Sequence, residues 1–301
     1  MRTPCGAPCL ISIALPIVVL LAVPAFTQVR GTYSSGSTLT SGGTVSDPGF
    51  SYYDQMWFIS ASELKGPQGN VLPIQGTVSF LYDNNIVTYV PKFKLFHANL
   101  EFSLDLVVSN GRFVARDPLN NIASESGTSA GLTNTDFVPF DLGWHFKWAD
   151  LQTGYSVSAP TGFWTNTWQT GTTLYLSKSK NSQVSIFNAY AWNTTQQGTG
   201  IHPGQNDSVD YSLTQTVSLA KSGRWTLQFG PAGYGQWQTT QATGQLPARE
   251  SLLYGIDAAG FTVSLTAPFK SLQIGTTALW EYHARNTFQG HNVTINAGLS
   301  F

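Results

Sequence analysis

The chain has 301 residues, 42% of them hydrophobic and 13% aromatic, but only 10% charged, well short of the roughly 25% of ordinary soluble domains. A net charge of −1 provides no basic surface to neutralise phosphates, which excludes nucleic acid as a partner. Past the N-terminus no window approaches the roughly 18 consecutive apolar residues of a membrane-spanning helix, so helical channels and transporters are excluded as well.

The first element reads as an address. Arg2 is the only charged residue before Arg30, and it precedes an apolar run from Leu10 to Leu21 that ends in Ala22, Val23, Pro24 and Ala25. This is the pattern of a secretory signal peptide over residues 1–25, with small residues, Val23 and Ala25, before the cut. Cys5 and Cys9 leave with it, so neither disulfides nor a Cys-based metal site support the mature chain. Residues 26–49 are rich in Gly, Ser and Thr and lack periodicity. They form either a disordered leader or a plug folded into the lumen of the domain C-terminal to them.

From residue 50 onward the pattern has a period of two. The first segment, Phe50 to Ser60, leaves its face assignment ambiguous. Leu100, Phe102, Leu104, Leu106 and Val108 then alternate with Glu101, Ser103 and Asp105. Val138, Phe140, Leu142, Trp144 and Phe146 alternate with Asp141, Gly143, His145 and Lys147, and Leu151, Thr153, Tyr155 and Val157 with Gln152, Gly154, Ser156 and Ser158. Next come Val209, Tyr211, Leu213, Val217 and Leu219 against Asp210, Ser212, Thr214, Thr216 and Ser218, and Trp225, Leu227 and Phe229 against Thr226, Gln228 and Gly230. In residues 249–267 the apolar phase switches between Leu252, Tyr254, Ile256, Ala258 and Phe261, Val263, Leu265, which predicts a bulge near Gly260. Leu272, Ile274, Thr276, Ala278, Trp280 and Tyr282 oppose Gln273, Gly275, Thr277, Glu281, His283 and Arg285, with Leu279 out of phase. The last strand, His291 to Phe301, alternates to its end. Such segments have one apolar and one polar face, and about ten residues is the length of a tilted transmembrane strand.

The connections alternate in length. Phe96–Ala98, Trp148–Asp150, Lys178–Ser182, Ala220–Gly223 and Ala267–Lys270 read as tight turns. Between them lie polar stretches near 61–85, 109–135, 159–171, 193–206 and 240–249, with Gln289 and Gly290 as a shorter member. Turns at one rim and loops at the other predict an all-β, up-and-down antiparallel transmembrane barrel over residues 50–301, of about 12 strands with 10 or 14 as alternatives. Closure matters because hydrocarbon cannot satisfy open strand edges. Trp144, Trp148, Trp192, Trp225, Trp237 and Trp280 fall at or near strand ends, where interfacial girdles sit. A soluble β-sandwich also alternates, but the terminal Phe301 of an alternating strand fits the signal that outer-membrane assembly machinery reads.

From about Gly43 to Phe301 the chain resembles the outer-membrane family named for the meta-pathway of phenol degradation. The matching stretches are Ser158 and Ala159 with Pro160, Thr161 and Gly162; Tyr190 to Thr195 with Asn193; Pro203 and Gly204; Gly230, Gly233, Tyr234 and Gly235; and Gly255 with the two closing strands. The resemblance implies a monomer-sized barrel that passes hydrophobic, often aromatic, compounds across the outer membrane, and it carries no family-wide catalytic set. The Gly, Ser, Thr and Asn-rich stretch Asp117–Asn134 departs from the family pattern.

On the alternating phase, Lys92, Lys94, Glu101, Asp105, Asp141, His145, Lys147, Asp257, Glu281, His283 and Arg285 are the candidates for the lumen face. Opposite charges there either bind a polar solute group or tie the barrel together, since unpaired charge in a narrow lumen is costly. His145 with Asp141, or His283 with Glu281, has the one-face spacing of an acid–base pair. No recognisable nucleophile or metal-ligand cluster accompanies them. Tyr53, Trp57, Phe163, Trp164, Trp168 and Trp192 are candidates for an aromatic mouth, or else interface anchors. The expected molecule is a non-enzymatic outer-membrane barrel, reached through the signal peptide, for passive uptake of small hydrophobic or aromatic compounds. It needs no cofactor or metal, and its partners are outer-membrane lipids, the barrel-assembly machinery and the solute; a monomer is expected. A structural or adhesive barrel and a general diffusion porin are the alternatives.

Overall fold

The computed structural model describes residues 30–117, 122–159, 162–220, 225–244, 252–269 and 271–301. The expected signal peptide, residues 1–25, lies outside them, as do Pro160 and Thr161. The strands are β1 (Gly49–Lys65), β2 (Val71–Val90), β3 (Lys94–Leu95), β4 (Ala98–Asp117), β5 (Ile122–His145), β6 (Ala149–Ala159), β7 (Thr165–Tyr175), β8 (Ser182–Asn193), β9 (Asn206–Ser218), β10 (Thr226–Gln238), β11 (Gly255–Thr266), β12 (Gln273–Arg285) and β13 (Phe288–Ser300). Each long strand pairs antiparallel with its neighbours in sequence, β2 pairs with β4, and β1 pairs with β13. The twelve long strands therefore close into a barrel, with the two-residue β3 attached to β4. At the seam Phe301 N–H donates to Phe50 O at 2.7 Å and Phe50 N–H to Phe301 O at 3.3 Å, so β1 and β13 pair along the seam and close the sheet on itself.

Burial is inverted relative to a water-soluble protein. The most enclosed side chains include Thr165, Thr173, Ser185, Ser208 and Asp210, whereas Phe261 is 67% and Trp280 57% exposed. A sandwich in water would hide the aromatics and show the hydroxyls; only an apolar solvent outside the wall reverses that preference, which removes the soluble alternative. On the outward face Phe140, Tyr155, Trp168, Trp192 and Tyr190 form a chain of ring contacts, with centroids 6.2 to 6.5 Å apart.

Both ends of the barrel and the tight turns share one rim, the periplasmic one by the usual orientation of such barrels. There β3 and β4 are joined by Phe96 and His97, both at positive φ (51° and 65°). This is the mirror-image turn that matches strand twist, made here without the Gly or Asn it normally prefers.

The opposite rim differs from the sequence reading. Stretches 61–85 and 109–135, expected as loops, are mostly strand: β1, β2, β4 and β5 are 17, 20, 20 and 24 residues long. About ten residues suffice to cross, so these four strands continue beyond the membrane as a paired wall, where neither face needs apolar residues. The Asp117–Asn134 stretch falls largely within β5 and pairs with β4. Residues 159–171 contract to a short link before β7, and Gln289 and Gly290 belong to β13. The β8–β9 connection and the described start of the β10–β11 connection are joined by paired backbone hydrogen bonds between His202 and Thr243, each 2.9 Å.

Candidate functional site: the lumen and the segment inside it

Residues 30–48 lie inside the barrel and run around its inner wall. Near the loop rim the Arg30 guanidinium donates to Glu281 Oε1 at 2.7 Å, Glu281 Oε2 at 3.2 Å and Phe288 O at 2.6 Å, while Gly31 N–H donates to the Tyr254 hydroxyl at 2.6 Å. Asp210 of β9 then gathers three donors: the Tyr33 hydroxyl and Gly36 N–H, each at 2.7 Å, and Thr38 N–H at 3.1 Å. Further along, Ser212 Oγ donates to Leu39 O at 2.5 Å, Gln183 to Thr40 O at 2.6 Å, and Gly42 N–H to Ser185 Oγ at 2.7 Å. The path ends near the turn rim, where Thr44 Oγ1 donates to Asp150 at 3.2 Å, Ser46 N–H faces Glu101 at 3.4 Å, and Asn99 donates to Ser46 O at 3.1 Å.

A segment without internal strand pairing exposes its peptide groups, and a buried peptide group must find a partner. Here the polar face of the barrel supplies those partners. Asp210 is fully enclosed, a state that a water-filled lumen at this depth would not produce. Burial, followed by the Asp210 charge, pushes the Tyr33 hydroxyl well above its ordinary pKa, so it stays protonated and donates. Burial alone would lower the pKa of Arg30; Glu281, with Tyr234 and Tyr254, outweighs it and raises it, so the guanidinium stays charged.

The contact also has an apolar part. Leu39 packs with Ala232, Tyr234, Ile256, Ala258, Leu279 and Ala284, all on the inner wall of β10, β11 and β12. This corrects two expectations. A bulge does lie near Gly260, between Asp257 and Ala258, but its extra residue is on β12 and Gly260 itself pairs in regular register with Leu279, so it does not cause the phase switch in 249–267. Ile256 and Ala258 point inward beneath Leu39 while Phe261 and Val263 point outward. Leu279, out of phase in the sequence, completes the same patch.

Of the expected lumen residues, Glu101, Asp105, Asp141 and Glu281 face inward. Asp141 accepts from Gln169 at 3.0 Å and Gln152 at 3.3 Å, and Glu281 also accepts from the Tyr234 hydroxyl at 2.8 Å and Gly290 N–H at 2.6 Å. His145 sits at the turn rim, 3.2 Å from Asp150 rather than with Asp141. Lys92 and Lys147 are exposed in the rim turns, beyond the strand ends, and Lys94 is exposed in the two-residue β3 at the same rim. Asp257, His283 and Arg285 are corrections as well. β12 carries an extra residue, Tyr282, between the partners of Asp257 and Ala258. That bulge turns His283 and Arg285 outward, and His283 pairs at 2.9 Å with outward Asp257 rather than with Glu281.

Among the aromatic candidates, Trp57 is buried inside the barrel and Tyr53 is half-buried there. Phe163 and Trp164 occupy the β6–β7 link. Trp168 and Trp192 face outward in the girdle, so they do not line a mouth. Asn193 accepts from Thr165 Oγ1 at 2.6 Å and donates to Gly204 O at 2.7 Å, tying β7 to the β8–β9 loop; Gly162 begins the described part of the β6–β7 link. At Gly230 a β-carbon would fall on Leu213 O, at Gly233 on Ala258 O and at Gly235 on the Trp237 ring, while Tyr234 reaches Glu281. Arg30, Tyr33, Leu39, Asp150 and Asp210 are site residues that sequence reasoning does not single out. The available signal for Asp210 is a lone carboxylate within the Ser/Thr phase of β9.

A closed barrel with an apolar exterior and a hydrogen-bonded interior defines the outer-membrane β-barrel class. Residues 61–297 match the family described as "Putative MetA-pathway of phenol degradation", and the chain belongs to that family. An outer membrane channel from Pseudomonas putida F1 has the same fold, with 10% identity and a TM-score of 0.64 over 87% of this chain and 98% of that one. The β domain of the Bordetella autotransporter BrkA superposes more loosely, with 10% identity and a TM-score of 0.47 over 85% of this chain and all of that one (100%). No curated protein matches the chain by sequence.

Proposed function

We propose that this barrel is a gated, energy-independent route across the outer membrane for small hydrophobic or aromatic molecules, and that residues 30–48 are its gate. The observation that carries this reading is the attachment of that segment: Leu39 covers an apolar strip of the lumen wall, Tyr33 stacks on Phe187 and Val45 is buried, while the other attachments are individually replaceable polar contacts. When the segment withdraws, the strip formed by Ala232, Ile256, Ala258 and Leu279 becomes a surface on which an aromatic solute can rest. A few convergent polar groups, Tyr234, Tyr254 and Asn206, stand beside it. Such a site binds weakly, as permeation requires, because a solute must leave as readily as it enters. The family's link to phenol degradation supports the solute class.

The test is uptake of labelled toluene into liposomes carrying the refolded protein, residues 26–301, alongside single-channel recording in a planar bilayer. Saturable toluene entry with few conductance steps supports the gated hydrophobic route. Large, persistent conductance with unselective entry would instead make the protein a general diffusion pore. A folded barrel that neither conducts nor admits toluene would leave a structural role.

A further inference from the structure

Two aspartates stand side by side on the lumen wall. The β4–β5 register sets Asp105 directly opposite Asp136, and both face inward because Leu104, Leu106 and Phe137, which flank them, are exposed on the membrane side. Directly opposed residues on one face of a sheet have β-carbons about 4.5–5.5 Å apart, and like charges so placed repel. Among the described residues no basic side chain pairs with either carboxylate. Arg30 is engaged by Glu281 on β12, and Lys92, Lys94 and Lys147 stand at the turn rim. Asp136 has only the Ser158 hydroxyl of β6 turned towards it.

One row nearer the loop rim the same wall carries more acceptors. Register runs Gln55, Asn84, Val107 across β1, β2 and β4, which puts Asn84 diagonally beside Asp105. Asn84 is 4% exposed, yet its Oδ1 has no hydrogen-bond partner within the protein, and the same holds for Gln55 Oε1, Asp105 Oδ1 and Asp136 Oδ1. Buried acceptors require donors. Four acceptors, two of them on carboxylates, require a partner that brings several N–H groups together with positive charge. Among the described residues no three His, Cys, Asp or Glu side chains gather closely enough to hold a metal ion. A primary ammonium has the matching inventory: three donors, one charge and no acceptor.

The surroundings suit a hydrocarbon body on that ammonium. The row of the two aspartates continues through Ile86 on β2 to Tyr53 on β1, whose ring occupies the place that a β-carbon on Gly298 would take. Tyr53 and Asp105 are two strand spacings apart, about 10 Å between backbones, a span that a small arylalkylamine covers. A tyrosine ring also attracts a cation to its face.

We propose that the lumen wall of β1, β2, β4 and β5 is a binding station for the ammonium group of a small organic amine. Asp105 and Asp136 supply the counter-charge, Asn84 and Gln55 supply further acceptors, and Ile86 and Tyr53 take the apolar body. The station lies on a different part of the wall from the strip beneath Leu39, and it holds whether or not neutral aromatics pass.

The experiment is isothermal titration calorimetry of the refolded barrel, residues 26–301, in detergent, with phenethylamine and with its neutral analogue 2-phenylethanol. Saturable binding of one phenethylamine per barrel is expected, with 2-phenylethanol at least tenfold weaker. Asp105→Asn with Asp136→Asn keeps the shape of both side chains and should bring the two ligands to equal, weak binding while heat-modifiable migration stays normal. Asn84→Leu, which keeps both carboxylates, should weaken phenethylamine several-fold and leave 2-phenylethanol unchanged, and it covers the case in which the double variant does not fold. Equal binding of the two ligands by the parent, a preference unchanged in the double variant, or release of phenethylamine by equimolar calcium chloride would overturn the proposal, the last by making the pair a divalent-metal site. Because binding is read without transport, a barrel that admits no toluene can still meet this test, and one that admits it can fail.

Discussion

Gly171 of β7 and Gly42 of the lumen segment meet backbone to backbone: a β-carbon on Gly171 would fall on the carbonyl oxygen of Gly42. Gly43, next along, is equally tight, with the Asp150 carbonyl oxygen and the Thr173 amide where its own β-carbon would go. Only glycine permits a chain to lie this close against the sheet. Gly171→Val is therefore expected to expel the segment without harming the barrel, since the added methyl groups point into the lumen. Planar-bilayer recording should show stable conductance steps well above those of the parent, with heat-modifiable migration retained. A silent, folded Gly171→Val barrel would mean that the segment does not close the route.

Asp210 carries the second prediction. It accepts from the amides of Gly36 and Thr38 and also receives the Tyr33 hydroxyl. Asp210→Ala strands those donors at about 1–3 kcal/mol each. Hydrogen exchange of the Gly36 and Thr38 amides should accelerate by at least tenfold, whereas amides in the β9–β10 ladder should keep their protection. Uniform acceleration across both regions would instead mark Asp210 as a fold residue.

The alternation that reveals the barrel says which residues share a face, but not which solvent that face meets. Membrane-facing strands are legible because Phe, Leu and Val cannot tolerate the polar side and Ser and Thr cannot fill the apolar one. The lumen segment is not, because its partners are scattered over β4 to β13 and most of its own residues are small and polar. Its one strong trace in the sequence looks like a bulge: Ile256, Ala258 and Leu279 break the phase because a second apolar surface, around Leu39, exists inside. His283 is hidden for a different reason. A bulge is a property of two paired strands, so the extra residue at Tyr282 emerges only when β12 is laid against β11. The tall wall is masked by composition, since above the membrane both faces of a strand meet polar surroundings.

Arg30 and Glu281 give a third test. The Glu281 side chain is 1% exposed and the pair is 2.7 Å long, so removing one partner leaves charge uncompensated, a loss of about 3–5 kcal/mol in comparable cases. Arg30→Glu alone should raise channel open probability by an order of magnitude or more. The exchange Arg30→Glu with Glu281→Arg should restore most of the closure, which a purely structural role for either residue would not predict.

The Phe96–His97 turn lies outside the membrane and the lumen, so it serves as a control. An L-residue in the left-handed region costs roughly 1–2 kcal/mol. His97→Gly keeps the Trp144 Nε1 donation to Phe96 O at 3.1 Å and is expected to raise the urea midpoint of unfolding, read by gel migration, by an amount equivalent to about 1 kcal/mol. Conductance should not change. A change in conductance would couple the turn rim to the gate.

Leu39 separates the two ways in which the lumen could work. If residues 30–48 merely obstruct an aqueous pore, then Leu39→Ala loosens a stopper, and ion current and toluene entry should rise together. If the strip beneath Leu39 is where solute rests, the two should part. Removing the side chain leaves a cavity lined by Ile256, Ala258 and Leu279, at a cost to the segment's docking of about 2–5 kcal/mol, and an apolar cavity of that kind takes up small aromatics rather than water. Toluene entry should then rise severalfold and saturate, while conductance rises less because the polar tethers at Asp210 and Glu281 still hold the backbone. Leu39→Asp is the counterpart: it places a charge on the same strip, should release the segment altogether, and should raise ion current while depressing toluene entry relative to Leu39→Ala. Parallel changes in both variants would favour the obstructed aqueous pore.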